Sequence, residues 1–272
     1  MDELWITEGP REFDTWTSER GVDPGSVARI REGLEATAAG QIGDLVGGQT
    51  PEVYFPGLTA RPWWPRDPFP WLDTLESAAK EIRHELTEYS LGVDQSVSHP
   101  TMLAPDGSWR ALYLTCAGKP HAKNRESFPR TVQAVSAIPG AADCGMAYFS
   151  TIDGNTHIAP HSGFTNAHLR CHLSLVATEG SSIRVADEWR QWVEGKAFVF
   201  DDSFEHEVGN EGTERRTVLL LDFWHPDLSR VEKEALKFMM GVWRRMYSRH
   251  FWAEQLAAPS SQPARSIGAM GK

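Results

Sequence analysis

The sequence has little cysteine, no long hydrophobic run and no recognisable secretion signal. Its three cysteines, Cys116, Cys144 and Cys171, are odd in number and far apart, which predicts free thiols in a reducing compartment. No segment approaches the roughly 18 consecutive apolar residues of a membrane-spanning helix. The acidic start, MDELWITEGPREFD, lacks the basic and apolar regions of a signal peptide. We therefore expect a cytoplasmic protein that has no membrane as partner.

Positive charge is also in short supply. Lysine and arginine number 27 against 37 aspartates and glutamates, so the formal net charge is −10. Nucleic acids and anionic membrane surfaces bind basic faces, so the balance argues against both as partners and favours a small molecule. With 272 residues, of which 40% are hydrophobic, the chain is long enough to bury a substantial core in one globular domain.

The N-terminal third predicts helices. Residues 1–50 are expected to hold a poorly defined leader, residues 1–22, and then a helix that Asp23 and Pro24 cap and that runs to about Ala38. A second helix is expected from Trp71 to Tyr89, because apolar residues recur there at helical spacing. The main domain is expected to span residues 51–256.

From about Trp109 the hydrophobic period changes from that of a helix to two. Eight or so short segments of this period are separated by turns that contain Gly, Asn and Asp. Among them are WRALYLTCAG, AHLRCHLSLVA, KAFVFDD and RRTVLLLDFW. Strands of this length and spacing predict an antiparallel barrel or jelly roll, with its core at about 109–228. A helix over residues 228–256 should pack against the barrel, and the composition of residues 257–272 is that of a disordered tail.

Strand alternation turns several charged side chains toward one face. Arg170 and His172 share a face of one strand, and in another strand Arg216 lies opposite Arg215. If that face is the barrel interior, its charge must be compensated, and a dianionic ligand gripped by a guanidinium fork is a fitting partner. The alternative is that these faces are turned to solvent.

His161 and His206 are candidate metal ligands, since each lies at the edge of a predicted strand. Two histidines and one carboxylate form the usual facial site of non-heme Fe(II) oxygenases. Position 163, where such a carboxylate is expected, is Gly163, and Asp202 comes near the metal only if the chain turns tightly at 201–203. From spacing alone, the alternative of two ordinary histidines stays open.

Longer stretches of sequence are more specific. PHSGFTNAHLRCHLSL, EGKAFVFDDSFEHEV and LLDFWHPDL together resemble the aspartyl/asparaginyl β-hydroxylase family of Fe(II)/2-oxoglutarate oxygenases. The resemblance runs from about Phe55 to about Leu228, nearly two-thirds of the chain, and includes FPGL, RPWW, TVQAVSAIPG and THIAPH. It implies a double-stranded β-helix, a jelly-roll barrel of the cupin kind, with helices flanking it.

The resemblance also implies a role for each site residue. His161 and His206 would bind Fe(II), with water where the missing carboxylate would be. Asp202 would orient that water. Arg216, helped by Ser150, would hold the distal carboxylate of 2-oxoglutarate. Two further residues would contact the carboxylate beside the keto group, namely Arg170 and His172.

Two departures from the family pattern concern the substrate. Members that act on aspartyl groups carry an arginine where this chain has His168, and Gly209 replaces a tryptophan that often follows EHEV. Both positions are expected near the substrate, so they place aspartate in doubt but leave the iron and 2-oxoglutarate sites intact.

The implied reaction consumes O2 and 2-oxoglutarate, releases succinate and CO2, and hydroxylates an unactivated carbon. We expect an amino-acid substrate attacked at its β-carbon, free or tethered to a peptide or carrier, as in secondary metabolism. Three alternatives remain: a halogenase that uses chloride at the position left open by Gly163, a non-catalytic jelly-roll binding protein, and a zinc-dependent cupin-like enzyme.

Overall fold

The computed structural model describes residues 3–40, 48–92, 97–98 and 108–247. Within them, two antiparallel sheets face each other. Eight strands form the larger sheet: β1 (Trp63–Trp64), β2 (Val97–Ser98), β3 (Trp109–Cys116), β4 (Lys119–Pro120), β5 (Ala147–Ile152), β7 (His168–Val176), β10 (Ala197–Phe200) and β12 (Arg216–Trp224). Four strands form the smaller sheet: β6 (Thr156–His161), β8 (Ser181–Val185), β9 (Glu188–Gln191) and β11 (His206–Asn210).

The order of the strands is that of a jelly roll. The larger sheet runs β1-β10-β7-β12-β5-β3-β2, with β4 paired to β3, and the smaller sheet runs β6-β11-β8-β9. Consecutive strands such as β5 and β6 lie in different sheets, so the chain crosses repeatedly between the two layers. The predicted double-stranded β-helix is therefore confirmed.

Seven helices are described around this barrel. They are α1 (Glu3–Glu19), α2 (Ala28–Ala38), α3 (Trp71–Ser77), α4 (Ala79–Gly92), α5 (Ala122–Ser127), α6 (Pro129–Ser136) and α7 (Arg230–Tyr247). The predicted cap at Asp23 is present, because its carboxylate accepts a hydrogen bond from the Ser26 amide and a 3-10 turn over Pro24–Val27 precedes α2. The predicted helix from Trp71 to Tyr89 is broken in two at Ala78.

Strand alternation sorts the apolar side chains of the larger sheet into two cores. On β7 and β12, Leu169, Cys171, Leu219 and Leu221 face outward and pack against α3, α4 and α6. Residues such as Val218 on the other face of β12 pack inward against the smaller sheet. Because Arg170, His172 and Arg216 share the inward face, the prediction that these residues enter the barrel is confirmed.

A third core closes one end of the barrel. It joins α1, α2 and α7 to the segment around Val53 and to Trp224 at the end of β12. The ring of Trp16 stacks on that of Phe238 in α7, with centroids 5.9 Å apart. Helices, not the sheets, therefore form the boundary of the barrel at this end.

Helices lie near both ends of the described chain. The leader expected at residues 1–22 is wrong, since Glu3–Glu19 is helical. Pro10 lies inside this helix and has no amide hydrogen to donate to the preceding turn. Phe13 and Trp16 nevertheless hold the helix in place, because they pack in one core with residues of α7. The C-terminal helix is described from Arg230 to Tyr247, and its predicted end and the predicted tail lie outside the described residues.

Replacing Trp16 with alanine should lower the free energy of unfolding by about 3–5 kcal/mol, because a buried indole would leave a void between α1 and α7. Urea denaturation followed by circular dichroism measures the change. Ser18→Ala, on the exposed face of the same helix, should change it by less than ~0.5 kcal/mol and serves as the control. Equal midpoints for the two variants would contradict the docking of α1.

Candidate active site

A cavity of about 350 Å³ lies between the two sheets. Its walls come from both layers, so its residues are distant in sequence and close in space. The polar and charged side chains that line it are Tyr148, Ser150, His161, Arg170, His172, His206 and Arg216. Six of these seven are predicted site residues, which one cavity therefore brings together.

His161 and His206 are cross-strand partners in the smaller sheet. β6 and β11 are antiparallel, and these two residues are opposite each other in register. Their ring centroids are 4.2 Å apart, with the ring planes tilted by 52°. Two imidazoles at this separation, directed into one cavity, can share one small cation.

Hydrogen bonds fix which nitrogen of each ring is available. His161 Nδ1 lies 2.8 Å from the Ala159 carbonyl, and His206 Nδ1 lies 3.0 Å from the Phe204 carbonyl. A carbonyl only accepts, so each Nδ1 carries the proton and each Nε2 keeps its lone pair. Burial lowers the pKa of His161, and burial together with His161 lowers that of His206 to about 3, so both rings are neutral near pH 7.

Asp202 fills the space that a side chain at position 163 would need. A Cβ built on Gly163 would overlap the Asp202 carboxylate, so even alanine does not fit there without a shift. The Gly163 amide also donates to the Asp202 carbonyl at 2.6 Å. The tight turn at 201–203 that the sequence allowed is thus present. A carboxylate from the turn between β10 and β11 therefore occupies the space where a side chain at position 163 would lie.

Arg170 is bound between two carboxylates. Its Nε lies 2.8 Å from Asp222 Oδ1, its Nη2 lies 3.2 Å from Asp222 Oδ2, and its Nη1 lies 2.9 Å from Asp202 Oδ2. Burial raises the pKa of the Asp202 carboxyl, but Arg170 and His168 outweigh it and hold that pKa well below its usual range. The charge of Arg170 is therefore already compensated inside the protein.

Arg216 is in the opposite situation. It is 1% exposed, and among the described residues no carboxylate lies within ion-pair distance of it. Its Nη1 lies 3.4 Å from the Ser150 carbonyl, its Nε has no hydrogen-bond partner, and its guanidinium lies 4.3 Å from the centre of the Trp192 ring. Burial lowers the pKa of Arg216 to about 9. A buried cation without a counter-ion calls for an anionic ligand.

His172 also has unused polar groups. Neither of its ring nitrogens has a hydrogen-bond partner within the described part of the chain. Burial, with Arg216 and Arg170 nearby, lowers the pKa of His172 well below its usual value, so the ring is neutral. Buried polar atoms are nearly always paired, so His172 and Arg216 mark a place for a polar, anionic molecule.

The structure separates the two residues predicted to lie near the substrate. His168 Nε2 is 3.2 Å from Asp202 Oδ1, close to the loop that follows His161, and its place near the substrate stays a prediction. Gly209 does not reach the cavity, so that prediction is wrong. His206 and Val208 point inward from β11, and Gly209, one residue out of phase, faces the opposite side, where a Cβ would meet no atom within 4 Å.

Besides Tyr148, two residues of the site were not predicted from the sequence. Asp222 is the cross-strand partner of Arg170, and its place on the inward face of β12, six residues after Arg216, was a readable signal. Trp192 lies under Arg216 and stacks with His172 at 6.0 Å between ring centroids. It follows the end of β9, and nothing in the sequence pattern pointed to it.

No helix among the described residues is long and apolar enough to span a membrane. Within the same residues, no group of three or more His, Cys, Asp or Glu is arranged to hold one ion. A protein-bound metal would therefore rely on the pair His161 and His206, with its other positions free for water and other small ligands.

The sequence model of the aspartyl/asparaginyl β-hydroxylase family matches residues 76–226, more than half of the chain. The chain belongs to this family. It is 32% identical over 187 residues to human aspartyl/asparaginyl beta-hydroxylase, a match that covers 66% of this chain and 25% of the human protein. It is 32% identical over 207 residues to human aspartate beta-hydroxylase domain-containing protein 2, covering 72% and 56% of the two chains.

The name of a bacterial relative states a different activity. The ornithine lipid ester-linked acyl 2-hydroxylase of Rhizobium tropici is 34% identical over 167 residues, and the match covers 58% of each chain. The chain thus spans about a quarter of the human β-hydroxylase and little more than half of the other two relatives. The names of these relatives thus describe different hydroxylation reactions.

Gly163→Ala should lower the free energy of unfolding by about 1–3 kcal/mol, because the new methyl group displaces the Asp202 carboxylate from its bonds to Arg170. Gly209→Ala is the matched control, since open space surrounds that position and the change should be neutral or slightly stabilising. Thermal and urea unfolding of both variants provides the comparison. Equal stability of the two would contradict the contact between Gly163 and Asp202.

Proposed function

We propose that this protein is an Fe(II)- and 2-oxoglutarate-dependent hydroxylase that acts on an unactivated C–H bond of an amino-acid substrate, free or tethered to a peptide or carrier. One observation carries the proposal: a single cavity holds two neutral histidines and a buried arginine for which the described residues offer no counter-ion. The first feature suits a metal ion and the second suits a dicarboxylate.

The donor set fits iron(II). His161 and His206 would hold it through their Nε2 atoms, since both Nδ1 protons are committed to backbone carbonyls. Asp202 is supported in the role of orienting a water at the remaining positions, because its carboxylate occupies the site of the missing side chain at Gly163. When bound, iron(II) with 2-oxoglutarate and O2 supplies the power to hydroxylate the carbon, with succinate and CO2 as the other products.

The far end of the cavity fits 2-oxoglutarate. Arg216 would pair with its distal carboxylate, which replaces the missing counter-ion, and Ser150 would add a hydrogen bond. The Ser150 hydroxyl already accepts a hydrogen bond from the Trp109 indole at 3.1 Å, which holds its proton free to be donated to an anion. A buried, apolar wall around these residues keeps water from competing for the carboxylate.

The resemblance assigns both Arg170 and His172 to the carboxylate beside the keto group, and the contacts support them unequally. His172 has two unpaired ring nitrogens and can donate to that carboxylate. Arg170 already donates two hydrogen bonds to Asp222 and forms an ion pair with Asp202. We assign to Arg170 chiefly the positioning of Asp202, and to His172 the direct contact with 2-oxoglutarate.

The chloride alternative loses its main support. A halogenase would need room for chloride beside Gly163, and the Asp202 carboxylate fills that space. A chloride ion there would meet a negative charge at close range, which disfavours binding. Hydroxylation with water at that position agrees better with the contacts. Cytoplasmic location and a role in secondary metabolism stay predictions.

Arg216→Ala should raise the 2-oxoglutarate concentration needed for half-maximal succinate release by at least about tenfold, because the distal carboxylate would be buried without a partner. Arg215→Ala is the matched control: this neighbour is exposed, bonds Asp153 and should leave the requirement unchanged. Calorimetric titration with 2-oxoglutarate should give the same ratio without turnover. An equal effect of both changes would refute the role of Arg216.

His161→Ala and His206→Ala should each abolish succinate release while circular dichroism stays that of the folded protein, because each removes one of two metal ligands. His157→Ala offers a control on the same strand β6, since His157 is more than half exposed and pairs with Glu207 on the outer face. Anaerobic Fe(II) with 2-oxoglutarate should give a visible absorption band that zinc does not give. Retained turnover in either ligand variant would exclude the iron site.

A further inference from the structure

A second cavity, of about 430 Å³, lies at the end of the barrel closed by the helices. Leu34 of α2 and Leu236, Met239 and Trp243 of α7 form its outer wall, and Phe164 and His168 belong to its inner wall. No residue of this cavity lines the first one.

The two cavities share a boundary. Phe164 follows Gly163 in the loop that begins at His161, and its ring lies 4.7 Å from that of Trp243. His168 Nε2 is 3.2 Å from Asp202 Oδ1, and Asp202 in turn occupies the space beside Gly163. A molecule in the second cavity would therefore contact Phe164 of this loop and His168, which in turn contacts the Asp202 carboxylate.

The wall of the second cavity on the helix side consists of apolar side chains. Leu236, Met239 and Trp243 are spaced three and four residues apart, so they form one stripe on α7. Methionine side chains adapt to ligands of irregular shape because they are unbranched and flexible. An aliphatic or aromatic group would replace poorly held water here, whereas a charged group would lose its hydration without a partner.

The polar side of the cavity does not suit an acidic substrate. The cation nearest to His168 on the inward face of β7 is Arg170, and two carboxylates already bind it. Asp202 and Asp222 lie 3.2 and 3.9 Å from His168 Nε2. A substrate carboxylate beside His168 would meet two like charges and one engaged guanidinium, which is unfavourable.

We infer that this second cavity is the substrate's specificity pocket and that it receives an apolar group, either an aliphatic or aromatic side chain or an acyl chain. The inference rests on the proposed function in taking the His161 loop as the reaction centre. His168 and the stripe on α7 then select against aspartate. The apolar group would be directed toward α7, and the reacting carbon toward His161 and His206.

Calorimetric titration of the enzyme loaded with Fe(II) and 2-oxoglutarate, without O2, tests this inference. The probes are L-leucine, L-phenylalanine, N-octanoylglycine and L-aspartate. At least one apolar probe should bind at least about tenfold more tightly than L-aspartate, an affinity difference of about 1.4 kcal/mol. The amino acids and the acyl compound distinguish a side chain from an acyl chain as the bound group. Preference for aspartate, or no binding of any apolar probe, would overturn the inference.

Two variants on α7 act in opposite directions. Met239→Trp fills the cavity and should weaken the tightest apolar probe at least about tenfold, whereas Leu236→Ala enlarges the cavity and should favour larger probes over leucine. Glu234→Trp adds the same indole on the exposed face of α7 and should leave binding unchanged. Circular dichroism checks folding, and the Leu236 variant suffices if the Met239 variant does not fold.

The specificity pocket and the proposed function are refuted by different results. Unchanged probe affinities in both cavity variants would overturn the specificity pocket, even if the enzyme releases succinate normally. Absence of succinate release and of 2-oxoglutarate binding in the unaltered protein would overturn the proposed function, whatever the probes do. Binding is measured without turnover, so one result does not depend on the other.

Discussion

The pairing of Arg170 with Asp202 and Asp222 is the interaction on which the site depends. It ties β7 to β12 and to the turn at 201–203, three parts of the chain that are far apart in sequence. Removing one partner of a buried ion pair costs about 3–5 kcal/mol, so the network resists rearrangement. It also holds the Asp202 carboxylate against Gly163. The conformation of the loop that follows His161 therefore depends on an ion pair made by Arg170 of β7.

The two buried arginines show how charge divides structural from ligand-binding roles. Arg170 has two carboxylates and needs no further anion, whereas Arg216 rests on the Trp192 ring and a single carbonyl contact. Burial without a counter-ion is tolerable only if a ligand supplies one for much of the time. The same fold thus holds one guanidinium as part of its framework and leaves another available for a dicarboxylate.

The helices complete what the barrel leaves open. The family barrel provides the histidine pair and the arginine, and α2 and α7 add an apolar wall over the end where His168 lies. The loop that follows His161, with Gly163 and Phe164, and the contact between His168 and Asp202 lie between the two cavities. None of the described residues that line the second cavity also lines the first, so the second cavity can differ without a change at the first.

The sequence by itself determined the strands and which side chains of β7 and β12 share a face, because a period of two fixes that choice. The family resemblance pointed to six residues that line the first cavity. The sequence left the helix at residues 3–19 and the role of Trp192 unseen, and it misplaced Gly209 by one step of the same alternation. Only the tertiary structure decided that Asp202 replaces the side chain absent at Gly163, that Arg170 is engaged and Arg216 is not, and that helices close a second cavity. These are contacts between distant segments, and local periodicity carries no information about which segments meet.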